Sequence, residues 1–208
     1  MRVTMSRDEM VRQLRRLGIR DPRVLHAMSR VPREEFVRDI DRTIAYGDHA
    51  LPIDEGQTIS QPFVVARMTE LLDPGTDDHV LEVGTGSGYQ AAVLAELAGD
   101  VVTVERHHAL AERARNLLAR LGYTNVHVIH DDASLGRPED APYDRIIVTA
   151  ATPSIDPALV AQLTDDGRIV APVGDAEMQE LVVRDARGRE QRYGAVRFVL
   201  LRGRAGFS

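Results

Sequence analysis

The sequence predicts a doubly wound, mostly parallel α/β sheet with a helical N-terminal extension and a strand-rich C-terminal segment. Three observations lead there. From Val80 to Val173 short apolar runs alternate with helical stretches, the rhythm of parallel strands joined by crossover helices. One run, Val80-Leu81-Glu82-Val83, passes directly into the glycine-rich turn Gly84-Thr85-Gly86-Ser87-Gly88 and then into a helix. The first fifty residues, in contrast, read as helical and polar.

In chain order, Met10, Leu14 and Leu17 mark a helix stopped by Gly18. Asp21-Pro22 opens a second helix, Asp21 as N-cap and Pro22 at the first position, with Val24, Leu25 and Met28 on its apolar side. A short turn follows at 31–36, and residues 45–60 lack periodicity and read as an ordered loop. A helix over 62–72 ends before Asp73-Pro74-Gly75. Strands are expected at 80–83, 101–105, 126–129, 143–149 and 167–173, with helices at 89–97, 107–121 and 156–163. Beyond Glu180 the tail is strand-rich, with Asp185-Ala186-Arg187-Gly188 as a hairpin-like turn. The expected organisation is one domain: helical extension and loop over 1–60, α/β core over 61–175, terminal strands over 176–208.

At ~150 residues per domain, 208 residues make one domain with an embellishment. The net charge is −6, 26 basic against 32 acidic residues, which lacks the basic footprint of a duplex binder. Every basic residue is Arg, so no Schiff-base or phosphate-binding lysine operates here. The absence of Cys excludes thiol nucleophiles, disulfides and thiolate metal sites. The opening MRVTMSRDEM lacks the apolar core of a signal peptide, and no apolar run approaches ~18 residues. The expectation is a soluble cytoplasmic protein that binds neither nucleic acid nor membrane.

The glycine turn is the strongest local signal. Glycines at a strand-to-helix junction allow a sharp turn and close approach of a ligand to the backbone. Gly86, Gly88 and Ala91 fit a dinucleotide pattern, and Glu105 lies 19 residues beyond Gly86, near the spacing of a ribose-binding acid. Against that reading, Glu82 stands two residues before Gly84, where a carboxylate repels a pyrophosphate and suits a cation. S-adenosylmethionine carries an ammonium and a sulfonium and no phosphate, so it fits this turn better. Glu105 then accepts the ribose hydroxyls, and an acid of Asp131-Asp132-Ala133 the adenine amino group. The histidines offer no competing metal site: His107 and His108 diverge on a helix, and His127 and His130 point to opposite strand faces.

Further motifs sharpen this. Gly56-Gln57-Thr58-Ile59-Ser60-Gln61-Pro62 precedes the glycine turn by about twenty residues. Val31-Pro32-Arg33-Glu34 with Phe36, Ala141-Pro142-Tyr143-Asp144, Val148-Thr149-Ala150-Ala151, Gly167-Arg168-Ile169-Val170 and Val196-Arg197-Phe198-Val199 follow in fixed order. This set resembles the protein-L-isoaspartate O-methyltransferase family. The resemblance implies a Rossmann-like methyltransferase sheet and methyl transfer from S-adenosylmethionine to the α-carboxylate of L-isoaspartyl residues. The ester then closes spontaneously to a succinimide, and water reopens it partly to normal aspartate. S-adenosyl-L-homocysteine is the implied second product, damaged polypeptides the implied partners, and a monomer the implied state.

By the same resemblance Ser60 is catalytic, and Thr58, Ile59, Glu82, Gly84, Thr85, Gly86, Ser87, Gly88, Glu105, Asp132 and Ala133 bind the cofactor. Ile59, Ser60, Ala150, Ala151, Val199 and Leu200 border the substrate peptide. Ser60 also stands where it could cap the helix beginning at Pro62. Two stretches differ from the family's pattern: Asp131-Asp132-Ala133 stands where the family has Gly-Asp-Gly, and Leu200 where it has Pro. Other readings are a methyltransferase for another carboxylate or small molecule, a non-catalytic protein keeping the cofactor pocket, and, more distantly, a nicotinamide enzyme.

Overall fold

The computed structural model describes residues 5–207; residues 1–4 of the expected extension and residue 208 of the expected tail lie outside the described residues. The extension holds α1 (Arg7–Leu17) and α2 (Pro22–Arg30), then 3-10 turns at Arg33–Glu35 and Asp39–Ile44. Ser6 and Glu9 start α1 by capping each other: Ser6 N–H donates to Glu9 Oε2 at 2.7 Å, and Glu9 N–H to Ser6 Oγ at 3.3 Å. Gly18, at φ 109°, ends it. Met10 and Leu14 are buried, whereas Leu17 is 45% exposed, so the third apolar position of the expected stripe faces outward. Asp21 caps α2 through the Arg23 N–H at 2.8 Å.

The segment 45–60 is more than a loop. It contains β1 (Leu51–Pro52) and β2 (Thr58–Ile59), paired antiparallel around a 3-10 turn at Asp54–Gly56. The remaining elements are α3 (Pro62–Leu72), β3 (His79–Val83), α4 (Tyr89–Ala95), β4 (Asp100–Glu105), α5 (His108–Arg120), β5 (Val126–His130), β6 (Tyr143–Val148), α6 (Pro157–Val160), β7 (Leu163–Gly174), β8 (Gln179–Asp185) and β9 (Glu190–Val196). The helix expected over 156–163 closes after one turn. Gln162 Nε2 takes the Ala158 carbonyl at 2.7 Å, the acceptor that its own N–H would use in a continuing helix, and the chain enters β7 at Leu163.

The seven-stranded sheet has the order β5-β4-β3-β6-β7-β8-β9. The pairs from β5 through β7 are parallel, and β8 and β9 add an antiparallel edge. Alternation along the strands sends Val80, Val101, Ile147 and Val170 to one face, against Met68, Leu71 and Leu72 of α3 and Leu94 of α4. Each fully buried side chain of this size contributes roughly 1.5–3 kcal/mol. Leu81, Val102, Ile146 and Ile169 face the other way, toward Leu159 of α6, Ala133 and Leu201 of the tail. That second layer is thin: one helical turn, short 3-10 turns and the C-terminal segment. At the N-terminal ends of the strands Asp100 joins two histidines, His79 Nδ1 and His127 Nε2 each lying 2.8 Å from a carboxylate oxygen. His127 is exposed, as its place on the edge strand implies, and its ring reaches Asp100 from the surface.

Strand order reverses between β3 and β6, so the crevice beyond their carboxyl ends is where such a sheet binds ligands.

Candidate active site

Gly84, Gly86 and Gly88 all have positive φ, at 99°, 52° and 86°. A Cβ at Gly84 would stand 2.6 Å from Thr149 Oγ1, the hydroxyl at the end of β6 that donates to the Gly84 carbonyl. Sterics and backbone conformation thus both select glycine there.

Beneath the turn lies a buried hydroxyl–carboxylate chain. Thr103 Oγ1 donates to Glu82 Oε2 at 2.6 Å, and since its one hydrogen is so engaged, Thr85 Oγ1 donates to Thr103 at 2.6 Å. Glu82 is wholly buried, and its Oε1 has no hydrogen-bond partner among the described residues. Burial pushes its carboxyl up to about 8, helped by the nearby charge of Glu105 and opposed by the Thr103 hydrogen bond. Glu105, at the end of β4, accepts the Gly86 N–H on Oε2 and the His107 N–H on Oε1, both at 2.9 Å. Each oxygen keeps a second lone pair.

Three cavities meet at this edge. The first, about 610 Å³, is lined by Thr58, Ile59, Ser60, Glu82, Gly84, Thr85, Gly86, Ser87, Glu105, Ala150 and Val199 among the expected site residues. The second, about 460 Å³, shares Gly84, Glu105 and Ala150 with it and adds Ala133 and Leu200. The third shares Thr58, Ser60 and Val199 with the first and opens beside Arg197. Gly88, Asp132 and Ala151 line none of the three. Gly88 packs on α5, where an added Cβ would meet Ala114 at 3.3 Å. Asp132 accepts the Ser134 N–H at 3.0 Å and the Arg204 N–H at 3.1 Å; burial alone would raise its pKa, but these hydrogen bonds leave it below the ordinary carboxylate value. Ala151 has both backbone groups paired to the tail, with Val199 and Leu201 at 2.7 Å each.

Ser60 does not cap α3. The N-cap is Gln61, and the first-turn Phe63 N–H, which has no partner within the helix, is taken by Asp48 Oδ1 at 2.8 Å, from fifteen positions earlier. The Ser60 hydroxyl therefore makes no hydrogen bond among the described residues and remains available at the junction of two cavities. Sequence reading missed Gln57, which lines both larger cavities, and Thr149, Tyr89, Gln90 and Phe198. Thr149 was findable as the end of the strand across the switch point; the others come from side-chain packing. No group of three or more His, Cys, Asp or Glu is placed to hold a metal ion among the described residues.

A family model of protein-L-isoaspartate(D-aspartate) O-methyltransferases matches residues 5–206. The chain belongs to that family. A protein-L-isoaspartate O-methyltransferase from Methanoregula boonei is 54% identical over 193 residues, covering 91% of this chain and 89% of the relative. One from Koribacter versatilis is 55% identical over 199 residues, covering 94% and 90%. Among solved structures, a protein-L-isoaspartate O-methyltransferase superposes with a TM-score of 0.87 at 28% identity, covering 97% of this chain and 67% of that one. A Plasmodium falciparum protein in complex with S-adenosyl-L-homocysteine shares the fold, with a TM-score of 0.81 at 24% identity, covering 94% and 98%.

Two of the positions that differ from the expected family pattern, Ala133 and Leu200, line the same second cavity. The acid retained beside Ala133, Asp132, accepts the Arg204 N–H of the tail, and Leu200 bridges to Ala151. No described helix is long and apolar enough to cross a membrane.

Proposed function

We propose that this chain transfers a methyl group from S-adenosylmethionine to the α-carboxylate of L-isoaspartyl residues in damaged polypeptides, the first step of repair through a succinimide. Membership of the family supports the reaction. The observation that carries the site is one continuous cavity with an unpaired buried carboxylate oxygen at its glycine-turn end and an unpaired serine hydroxyl at its mouth.

The residues present fit the cofactor. Glu82 Oε1 is the acceptor that a cationic ligand supplies with a partner, and glycines at 84 and 86 clear the approach to the backbone. Glu105 receives the ribose hydroxyls on its remaining lone pairs, while Thr85 and Ser87 border the same cavity. Ala133 lines the adenine side and Asp132 holds that wall in place through Arg204. Bound there, S-adenosylmethionine supplies a methyl group on a sulfonium.

The chain's own task is then alignment. A free carboxylate has a pKa near ~4 and is already the nucleophile at neutral pH, so no general base is needed. Ser60 Oγ donates a hydrogen bond to the carboxylate and turns one oxygen toward the methyl carbon. Holding reactants aligned at ~3 Å supplies roughly 7–11 kcal/mol. A cation and an anion become two neutral products, so the apolar walls of Ile59, Phe198 and Val199 favour the step by keeping the dielectric low. Ala150 and Leu200 border the peptide, and Ala151 anchors the tail segment that carries Val199 and Leu200. Ring closure to the succinimide, with loss of methanol, needs only the following backbone amide. On this reading the protein acts as a monomer in the cytoplasm, on polypeptides rather than nucleic acid or membrane.

The test is methyl incorporation from labelled S-adenosylmethionine into two peptides that differ only in L-isoaspartyl or L-aspartyl linkage. Base-labile label on the isoaspartyl peptide alone is expected. Cofactor binding without label on either peptide would move the reaction to another acceptor.

A further inference from the structure

Ser60 is delivered to the cavity by a segment, 45–60, that has little regular structure of its own, only the two-residue strands β1 and β2 around a 3-10 turn. Its two ends are fastened by one side chain. Arg33 Nε donates to the Ala45 carbonyl at 2.7 Å, and Arg33 Nη2 donates to the Ser60 carbonyl, also at 2.7 Å. Arg33 is wholly buried, and its guanidinium carbon lies 4.7 Å from the centroid of the Tyr89 ring. Tyr89 is the first residue of α4, directly after the glycine turn, and lines the same cavity as Ser60.

No carboxylate stands within ion-pair distance of Arg33 among the described residues, and its Nη1 has no hydrogen-bond partner there. The carboxylate that acts on it, Asp48, does so only from beyond contact; a buried cation without a counter-ion in contact is costly, and a position that needed only volume would hold an apolar side chain. What this position gains from Arg is a rigid fork of donors at fixed spacing with a flat face for an aromatic ring. Lys has neither.

We infer that Arg33 is a positioning residue for methyl transfer: it clasps both ends of segment 45–60, sets the Ser60 hydroxyl in place, and registers it through Tyr89 against the glycine turn. This rests on the reading that Ser60 orients the accepting carboxylate. Arg33 itself touches neither substrate nor cofactor on this account.

The experiment is a double-mutant cycle on the full chain, using Arg33→Lys, Arg33→Gln, Ser60→Ala and both combinations. kcat and KM for an isoaspartyl peptide, affinity for S-adenosylhomocysteine and Tm are read for each. Arg33→Lys is expected to lower kcat by ~10–100-fold, the size of loss that a misplacement near 1 Å produces. Its S-adenosylhomocysteine affinity stays within ~3-fold, as expected for a folded protein whose glycine turn is untouched. In the Ser60→Ala background the Arg33 substitution adds less than ~2-fold, because there is no hydroxyl left to position. Arg33→Gln carries the same expectation, so either variant that folds decides the matter. Losses that multiply in the double variant, or wild-type kcat in either Arg33 single variant, overturn the proposal. Wild-type kcat in Ser60→Ala alone removes the reading beneath it, a result told apart because that single variant delivers it.

Discussion

The two halves of the site are built in opposite ways. At the glycine turn, Glu82, Thr85, Gly86, Thr103 and Glu105 lie at the ends of adjacent parallel strands and hydrogen-bond one another within 24 residues of sequence. At the mouth, Ser60 depends on Arg33, and Val199 and Leu201 depend on Ala151, across 27 and about fifty positions respectively. The first half is rigid because the sheet that carries it is the core. The second is held by a few specific contacts that reach across the chain. Binding the cofactor and aligning the acceptor should therefore fail separately.

The sharpest way to break that separation is Glu82→Gln. If Glu82 faces a cation, removing its charge should weaken S-adenosylhomocysteine binding by at least ~100-fold, the scale of losing one partner of a buried charged pair. Titration calorimetry measures it, and affinity within a few-fold of wild type would free Glu82 from that role.

The same variant tests the cofactor half without any ligand. The Glu82 carboxyl is raised in the folded protein, from near ~4 in an unfolded chain to about 8. Between those values the folded state holds a proton that the unfolded state has lost, so stability falls as pH rises through the window. Gln does not titrate. The Tm of Glu82→Gln should accordingly gain on wild type by several degrees between pH ~5 and ~8. Parallel melting curves across that range would mean Glu82 is ionised throughout.

The smallest effect belongs to the mouth. Arg197 is exposed, lines the third cavity beside Ser60, and has no ion-pair partner among the described residues. Arg197→Gln should raise KM for an isoaspartyl peptide by ~2–5-fold at low salt and leave kcat unchanged, with the difference shrinking near ~0.3 M salt. A fall in kcat instead would put Arg197 among the groups that align the acceptor.

The same contrast decides what could be read from the sequence. The strands at 80–83 and 101–105 were legible because the buried middle of the sheet needs mostly apolar runs, the edge strand at 126–129 because β-branched residues surround its one exposed histidine, and the glycine turn because positive φ at 84, 86 and 88 favours glycine. Residues 45–60 were not, since two-residue strands such as Leu51–Pro52 have no period to detect. Val31-Pro32-Arg33-Glu34 was legible as a motif of the resemblance and as a short turn, but nothing in it told that Arg33 is buried; that comes from its packing against Tyr89. Ser60 resembled a helix cap because the carboxylate that takes the Phe63 N–H at the start of α3, Asp48, comes from outside the local sequence.

The tail also sets an order of events during synthesis. Leu201 closes on Ala151, Arg204 on Asp132, and the Phe207 N–H on the Leu201 carbonyl at 2.8 Å. A growing chain that has reached residue 190 already contains the glycine turn and the ends of β3, β4 and β6, yet lacks residues 198–204, which wall both the adenine side and the peptide side of the cavities. The two halves of the site, so different in construction, are thus closed together by the same late stretch of chain.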